Sequence, residues 1–297
     1  MAEARGNMRV AVVGLGQMGG GIARNLDAQG LLCAAWDSAQ GAFAAAGLSG
    51  RVARAAPDTL LDLADVVLFA VPTTAQVAAV LAGAQGAGQV IVDLTTSDPA
   101  HSRALAQDLS DRGLRLVDAA MTGGAAGADA GTLTLMLGGA EADIDRVRPV
   151  LQAIASRLFH LGPVGAGHAM KLVHNLILHS AFLATCEGLH LAERAGLDLD
   201  RAVEVLNAGN ARSFVTEVRF PRDILSGTMN ARSVVANLEK DLGLAQDMAA
   251  GLSARIPFGA MTRAVLAKAL ALGHGGTDFS HLFPLYEDII DHMETST

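Results

Sequence analysis

The feature that most constrains the fold is a glycine-rich turn between two short apolar segments near the N-terminus. The segment Val10–Val13 is apolar and rich in β-branched residues, and a helix-forming segment follows the turn as far as about Ala28. The turn itself consists of Gly14, Leu15, Gly16, Gln17, Met18 and Gly19. A strand, a tight glycine turn and a helix in this order are typical of the first unit of an α/β domain with a parallel sheet.

The same turn indicates a ligand. Glycines let the backbone approach a pyrophosphate closely, and the N-terminus of the following helix offers free N–H groups to phosphate oxygens. The second apolar segment ends at Asp37, where an acid can hydrogen-bond the hydroxyls of an adenosine ribose. A carboxylate there repels a 2′-phosphate, so NAD is favoured over NADP. The alternatives are an ordinary glycine turn and a solvated turn aspartate.

Short apolar segments alternate with helix-forming ones as far as residue 162. The expected strands are 10–13, 31–36, 66–71, 90–92, 114–117, 132–139 and 157–161, and 141–155 is an expected helix. This order predicts a doubly wound, Rossmann-type sheet that is parallel, with helices on both faces. We therefore expect an NAD-binding domain over residues 1–162.

After residue 162 the strand signals nearly vanish. A long helical pattern runs from residue 165 to 195 and stops at Gly196, and further helices are expected at 199–207, 234–252, 261–272 and 281–293. The pattern predicts an all-α domain over residues 163–297, joined to the first domain by the long helix.

Composition narrows the function to small-molecule chemistry in the cytoplasm. The net charge of -8 and the single Trp and Tyr argue against nucleic-acid binding. No apolar run has the length of a membrane span, and residues 1–13 lack a signal-peptide core. Cys33 and Cys186 lie far apart in apolar segments, which is typical of reduced structural thiols.

The long helix carries a lysine in largely apolar surroundings. Desolvating an ammonium is costly, so Lys171 either extends to water or lines a cleft where its proton is useful. Asn175 follows four residues later, on the same helix face. A lysine in such a place can act as an acid or base if burial or nearby positive charge lowers its pKa from about 10.4.

Four sequence blocks together resemble the β-hydroxyacid dehydrogenase family, which includes 3-hydroxyisobutyrate dehydrogenase and tartronate semialdehyde reductase and is related to 6-phosphogluconate dehydrogenase. The blocks are VAVVGLGQMG at 10–19, DLTTSDP at 93–99, DAAMTGGAAGADAGTLTLMLGG at 118–139 and GAGHAMKLVHN at 165–175. The resemblance spans nearly the whole chain. It implies oxidation of a short 3-hydroxy acid to a semialdehyde or 3-keto acid with NAD.

The resemblance also implies roles for individual residues. Lys171 matches the catalytic lysine, and Asn175 matches the asparagine that binds the substrate. Thr122, Gly123 and Gly124 replace the family's Ser-Gly-Gly at the substrate carboxylate, and the threonine retains the hydroxyl. The expected cofactor contacts beyond the glycine turn and Asp37 are Val71, Pro72, Thr96 and Lys240. Lys240 is alternatively a solvated helix lysine.

Two further residues have open roles. His174 gives the Lys-x-x-His-Asn pattern of the phosphogluconate enzymes, so it either contacts a polar substrate group or is structural. Arg212 either pairs with a second anionic substrate group or lies on the surface. His168 and His179 lack the spacing of a helical zinc site, and no metal is predicted.

The alternative functions are an imine reductase and a non-catalytic nucleotide-binding protein. Imine reductases of similar fold usually carry Asp or Tyr at the position of Lys171, and loss of the lysine would favour a non-catalytic protein. The helical domain has more apolar surface than one sheet can cover, so a homodimer or homotetramer is expected. No motif identifies the particular hydroxy acid.

Overall fold

The computed structural model describes residues 8–294. The chain divides into two compact units, Met1–Lys171 and Leu172–Thr297. The expectation that the N-terminus contains no signal peptide falls mainly on residues 1–7, which lie outside the described residues.

The described part of the first unit is built on one sheet. Its strands are β1 Val10–Val13, β2 Leu32–Trp36, β3 Ala53–Arg54, β4 Val66–Phe69, β5 Val90–Asp93, β6 Arg115–Thr122, β7 Leu133–Gly138 and β8 Ala155–His160. Their order across the eight-stranded sheet is β3-β2-β1-β4-β5-β6-β7-β8. Every neighbouring pair from β3 to β6 is parallel, whereas β7 is antiparallel to β6 and parallel to β8.

The Rossmann-type architecture is confirmed, and the expected parallel arrangement is interrupted where β6 pairs with β7 in the antiparallel sense. Only residues 123–132 connect β6 to β7. A crossover to a parallel neighbour needs a dozen or more residues, so this short connection returns antiparallel. Strand β6 also continues beyond the predicted residue 117 to Thr122, and the exposed two-residue strand β3 was not predicted.

Helices cover both faces of the sheet, and the central strands β1 and β4 to β6 are therefore buried on both sides. The helices of the first unit are α1 Gln17–Ala28, α2 Ala42–Ala45, α3 Leu60–Leu63, α4 Thr74–Val80, α5 Pro99–Asp111, α6 Gly124–Ala130 and α7 Glu141–Gln152. Along β1, Val10 and Val12 join one apolar cluster, and Ala11 and Val13 join another. Successive strand residues point to opposite faces, so continuous apolar strands require cover on both sides.

The second unit is helical. Helix α8, Ala166–Arg194, begins in the first unit and continues into the second, which also contains α9 Leu199–Ala208, α10 Val235–Gly251, α11 Pro257–Ala271 and α12 Leu282–Glu294. A π-helix over Val215–Leu225 was not predicted. The aromatic centre of this unit includes Phe182 and Phe279, whose rings meet edge to face with centroids 5.1 Å apart. Within residues 8–294, no helix combines the length and apolar character needed to cross a bilayer.

Candidate active site

The glycine turn after β1 has a backbone that only glycine permits. Gly14 has a φ of +89°, and a Cβ there would lie 2.5 Å from the carbonyl oxygen of Ala70. A Cβ at Gly19 would lie 1.9 Å from the carbonyl oxygen of Gly14. At Gly16, the N-terminal cap of α1, a Cβ would meet nothing within 4 Å, and no side chain caps the helix. This open, uncapped helix N-terminus fits the pyrophosphate of a dinucleotide.

Asp37 lies beside this turn, directly after β2. Its Oδ2 accepts the N–H of Leu15 at 2.6 Å, and its Oδ1 accepts the N–H of Ala39 at 2.7 Å. Each carboxylate oxygen can accept a further hydrogen bond, so the group retains capacity for ribose hydroxyls. The geometry therefore fits the adenosine half of NAD.

Three further predicted cofactor residues, Val71, Pro72 and Thr96, follow the ends of β4 and β5. Val71 and Pro72 precede α4, whose N-terminus is closed by a capping box between Thr73 and Gln76. Thr96 lies three residues after Asp93, the last residue of β5. In open α/β sheets ligands bind at the carboxyl ends of the strands, the edge on which these residues and the glycine turn lie.

The Thr122–Gly124 segment forms the sharp turn between β6 and α6. Thr122 is the last residue of β6, and Gly123 and Gly124 have φ values of +123° and +63°. Residues other than glycine rarely adopt these φ values. Because β6 is parallel to β5, the turn lies on the same sheet edge as Thr96.

Asp118, a buried acid in the middle of β6, ties this strand to the start of α8. Its Oδ1 accepts the N–H of Gly165 at 2.7 Å, and its Oδ2 accepts the N–H of His168 at 2.9 Å. These bonds satisfy N–H groups at the helix N-terminus, one turn before Lys171. A Cβ at Gly167 would lie 2.8 Å from Asp118 Oδ2 and 2.2 Å from the Met136 carbonyl oxygen. Sequence reasoning missed Asp118, although a single acid in an apolar strand is a signal for it.

In the second unit, Asn175 is buried in a polar cluster with His174, His179, Lys240 and Asp241. Its Nδ2 donates to Asp241 Oδ2 at 2.6 Å, and its Oδ1 lies 3.0 Å from His174 Nδ1. Because a carboxylate only accepts, the amide orientation is defined, and His174 Nδ1 is the donor to Asn175. Asp241, which was not predicted, thus orients a predicted substrate ligand.

The Asp241 carboxylate is held in its charged form. Burial raises its pKa, but the facing imidazole of His179 and the ammonium of Lys240 outweigh burial, and the pKa lies below its ordinary value of 3.8. Lys240 Nζ is 3.0 Å from Asp241 Oδ1, and His179 Nε2 is 4.0 Å from Asp241 Oδ2. A charged acceptor gives the stronger hydrogen bond to Asn175.

The structure thus places the predicted residues in two groups. One group lies at the carboxyl ends of the parallel strands in the first unit. It consists of the glycine turn, Asp37, Val71, Pro72, Thr96 and the Thr122 turn, and Lys171 lies in the same unit. His174, Asn175 and Lys240 meet in the second unit. Arg212 is exposed, with Nε 3.6 Å from Glu217 Oε1. In the part of the chain the structure describes, no three His, Cys, Asp or Glu residues form a metal-binding group.

A Rossmann-type unit with this glycine turn and acid, followed by a helical unit, defines the class of nicotinamide-dependent dehydrogenases. Residues 9–162 match the NAD-binding domain of 6-phosphogluconate dehydrogenase. Residues 165–286 match a domain described as the NAD-binding domain of NADP-dependent 3-hydroxyisobutyrate dehydrogenase. The chain belongs to the β-hydroxyacid dehydrogenase family.

Known relatives cover almost the whole chain. The chain is 30% identical to 2-(hydroxymethyl)glutarate dehydrogenase of Eubacterium barkeri, over 95% of this chain and 96% of that protein. It is 31% identical to the NAD-dependent L-serine dehydrogenase of Pseudomonas aeruginosa, over 94% and 98% of the two chains. The structure of Mycobacterium tuberculosis 3-hydroxyisobutyrate dehydrogenase with L-serine is similar, with a TM-score of 0.83 and 30% identity over 93% and 98% of the chains. The protein is therefore an NAD-dependent enzyme that acts on the CH–OH group of hydroxy acids.

Proposed function

We propose that this enzyme interconverts a short 3-hydroxy acid and its semialdehyde or 3-keto acid, with Lys171 as general acid and base. The observation that carries the proposal is the defined orientation of the Asn175 amide, four residues after Lys171 on α8. A substrate hydroxyl that meets Lys171 can be aligned by an amide whose geometry is set before the substrate arrives.

Proton transfer is the role of Lys171. In the oxidative direction its neutral amine accepts the hydroxyl proton, and in reduction its ammonium returns a proton to the new oxyanion. NAD, when bound, accepts the hydride. The lysine must be neutral when it accepts the hydroxyl proton.

The substrate carboxylate is assigned to Thr122, Gly123 and Gly124. The positive φ angles of the two glycines support this assignment, because successive backbone N–H groups in a turn can form a concave site for an anion. The Thr122 hydroxyl adds a donor beside them. Asn175 and His174 are assigned to the polar groups on the rest of the substrate.

Cofactor binding is assigned to residues that share one edge of the sheet. They are Gly14, Leu15, Gly16, Gln17, Met18, Gly19, Asp37, Val71, Pro72 and Thr96. Lys240 is assigned to the nicotinamide side, and its ion pair with Asp241 gives it a fixed position on α10.

The names of the relatives support the 3-hydroxy acid class. Serine, 3-hydroxyisobutyrate and 2-(hydroxymethyl)glutarate each carry a hydroxyl on the carbon β to a carboxylate. A carboxylate held by the Thr122 turn and a hydroxyl presented to Lys171 would be the shared recognition pattern.

We also propose that the chain consists of a domain over residues 1–162 and a domain over residues 163–297. We place the protein in the cytoplasm.

We further propose that the protein is a homodimer or homotetramer. Exposed apolar side chains of the helical unit support the association. Ile177 and Leu191 on α8 are 64% and 69% exposed, and Val205 on α9 is 71% exposed. Contact with a second copy would remove such groups from water.

The test is a screen of 3-hydroxy acids with NAD and with NADP, read by nicotinamide absorbance. The matching semialdehydes and a set of cyclic imines are screened with the reduced cofactors. Turnover of at least one short 3-hydroxy acid with NAD is expected. Turnover of cyclic imines with no turnover of any hydroxy acid would replace the proposal with the imine reductase alternative.

A further inference from the structure

A histidine and an aspartate, both fully buried, face each other in the first unit. His168 and Asp93 are each 0% exposed, and His168 Nε2 lies 4.0 Å from Asp93 Oδ1. Neither residue belongs to the groups assigned to substrate or cofactor. Buried polar groups of this kind are costly unless their partners are arranged around them, so their contacts indicate what they hold in place.

Asp93 fixes two loops at once. Its Oδ2 accepts the hydroxyl of Thr74 at 2.7 Å, and its Oδ1 accepts the N–H of Thr95 at 2.9 Å. The two threonine hydroxyl oxygens are themselves 3.1 Å apart. Thr74 directly follows the segment at 71–73, and Thr95 directly precedes Thr96. One carboxylate therefore anchors both loops that are assigned to the cofactor beyond the glycine turn.

His168 fixes the start of α8. Its Nδ1 lies 2.6 Å from the Ser102 hydroxyl oxygen on α5, and its backbone N–H donates to Asp118 at 2.9 Å. Lys171 is three residues later on the same helix. A side chain that is held by α5 and faces Asp93 connects this helix to the loop at the end of β5.

The protonation of the ring follows from its two neighbours. If the Ser102 hydroxyl donates to Nδ1, the neutral ring carries its proton on Nε2 and directs it towards Asp93. If Nδ1 carries the only proton, a nitrogen lone pair faces a buried carboxylate, which is unfavourable in a site that excludes water. An imidazolium would also place a proton on Nε2. In each favourable state the His168 ring therefore attracts Asp93 electrostatically.

We propose that Asp93 and His168 are positioning residues. Together they fix the position of the cofactor loops at 71–74 and 95–96 relative to the first turn of the helix that carries Lys171. The inference rests on the proposed roles of these loops and of Lys171. It goes further by assigning to two buried residues the relative placement of the cofactor loops and the proton-transfer group.

The test compares His168→Leu, His168→Gln and Asp93→Asn with the wild type. His168→Leu and Asp93→Asn should each weaken NADH binding and lower kcat about tenfold. His168→Leu removes the hydrogen bond with Ser102 and the electrostatic attraction to Asp93, and Asp93→Asn removes the charged acceptor of Thr74 and Thr95. His168→Gln should keep most of the NADH affinity and most of kcat, because the glutamine amide can accept from Ser102 and donate towards Asp93. NADH affinity is measured by fluorescence titration, which does not require turnover.

Asp27→Asn is the matched control. Asp27 is a nearly buried acid of the first unit that accepts from the Ser49 N–H at 2.6 Å, and it has no assigned role in the site. This control should lower the Tm and leave NADH affinity and kcat unchanged. Ser102→Ala provides a milder change that keeps the ring, and its effect should have the same direction as that of His168→Leu.

The possible outcomes separate the two proposals. If the His168 variants and Ser102→Ala lower the Tm as the control does but keep NADH affinity and kcat within about twofold of wild type, the two residues are merely structural and the inference is wrong. If the wild type binds NADH but oxidises no hydroxy acid, the proposed function fails, while the loop-positioning effect on NADH affinity is still measurable.

Discussion

The Asn175 side chain donates to the buried Asp241 carboxylate at 2.6 Å, across a sequence separation of 66 residues. The contact joins α8 to α10 within the helical unit. Because Asp241 is charged and can only accept, the Asn175 NH₂ group must face Asp241 and the amide oxygen must face His174. Contacts within the protein therefore set the orientation of the asparagine amide.

We expect Asp241→Asn to lower kcat/KM about tenfold or more. The neutral amide gives Asn175 a weaker acceptor and permits the flipped orientation. NADH affinity should fall less than kcat/KM, since Asp37 and the glycine turn are unchanged and only the ion pair that holds Lys240 is lost. Asp247→Asn, an exposed change on the same helix, is the control. Steady-state kinetics with equal losses in both variants would contradict the role of Asp241.

Lys171→Ala should lower kcat by roughly 10²- to 10⁴-fold, as expected for loss of a positioned proton carrier. Lys171→Arg should recover little, because a guanidinium keeps its proton at any working pH. Lys268→Ala on α11 should turn over normally. Single-substrate kinetics and NADH titration on each variant test this, and near-normal turnover of Lys171→Ala would rule out the lysine as acid and base.

The wild type should prefer NAD to NADP in kcat/KM, because the Asp37 carboxylate repels a ribose 2′-phosphate. Asp37→Ala should lower the ratio of kcat/KM with NAD to kcat/KM with NADP. It also leaves the Leu15 N–H without its side-chain acceptor, so affinity for NAD should fall as well. A clear NADP preference in the wild type would show that this acid does not select the cofactor.

Asp278 should make the helical unit sensitive to acid. It accepts from the N–H groups of Ala231, Arg232 and Ser280 at 3.1, 2.8 and 3.0 Å. Burial raises its pKa, but the Ser280 hydroxyl and these N–H groups outweigh burial, so the folded pKa lies below the ordinary 3.8. A lowered folded pKa stabilises the fold fully above the unfolded pKa, and this stabilisation is lost as pH falls through the folded value.

The corresponding experiment compares Asp278→Asn with the wild type in urea between pH 7 and pH 3. The variant should be less stable by about 1–3 kcal/mol at pH 7, the range for loss of hydrogen bonds to a charged acceptor. The difference should shrink as the pH falls below 4. A constant difference over the whole range would show that ionisation of Asp278 does not contribute.

Leu191→Glu should shift the proposed oligomer towards monomer, because it places a charge on an exposed apolar face of α8. Leu63→Glu on α3, in the first unit, is the control and should not alter the molar mass. Light scattering over a range of concentrations measures both. A wild type that is monomeric throughout would contradict the expected association.

The sequence by itself determined the order of the elements and the chemistry of the first turn. Val10–Val13, the glycines after it and Asp37 interact over short sequence distances, and their backbone requirements are written in residue type. The long helix α8 was equally visible, because apolar residues continue through it until Gly196 ends the pattern.

The tertiary structure alone decided which residues distant in sequence share a polar cluster. Asp241 reaches Asn175, Asp118 caps the start of α8, and Asp93 faces His168, and these pairings depend on how helices and strands pack rather than on any spacing. The antiparallel return of β7 was decided in the same way, by the length of chain available after β6. Periodicity records which face of an element is buried, but it does not record the partner that the buried face will meet.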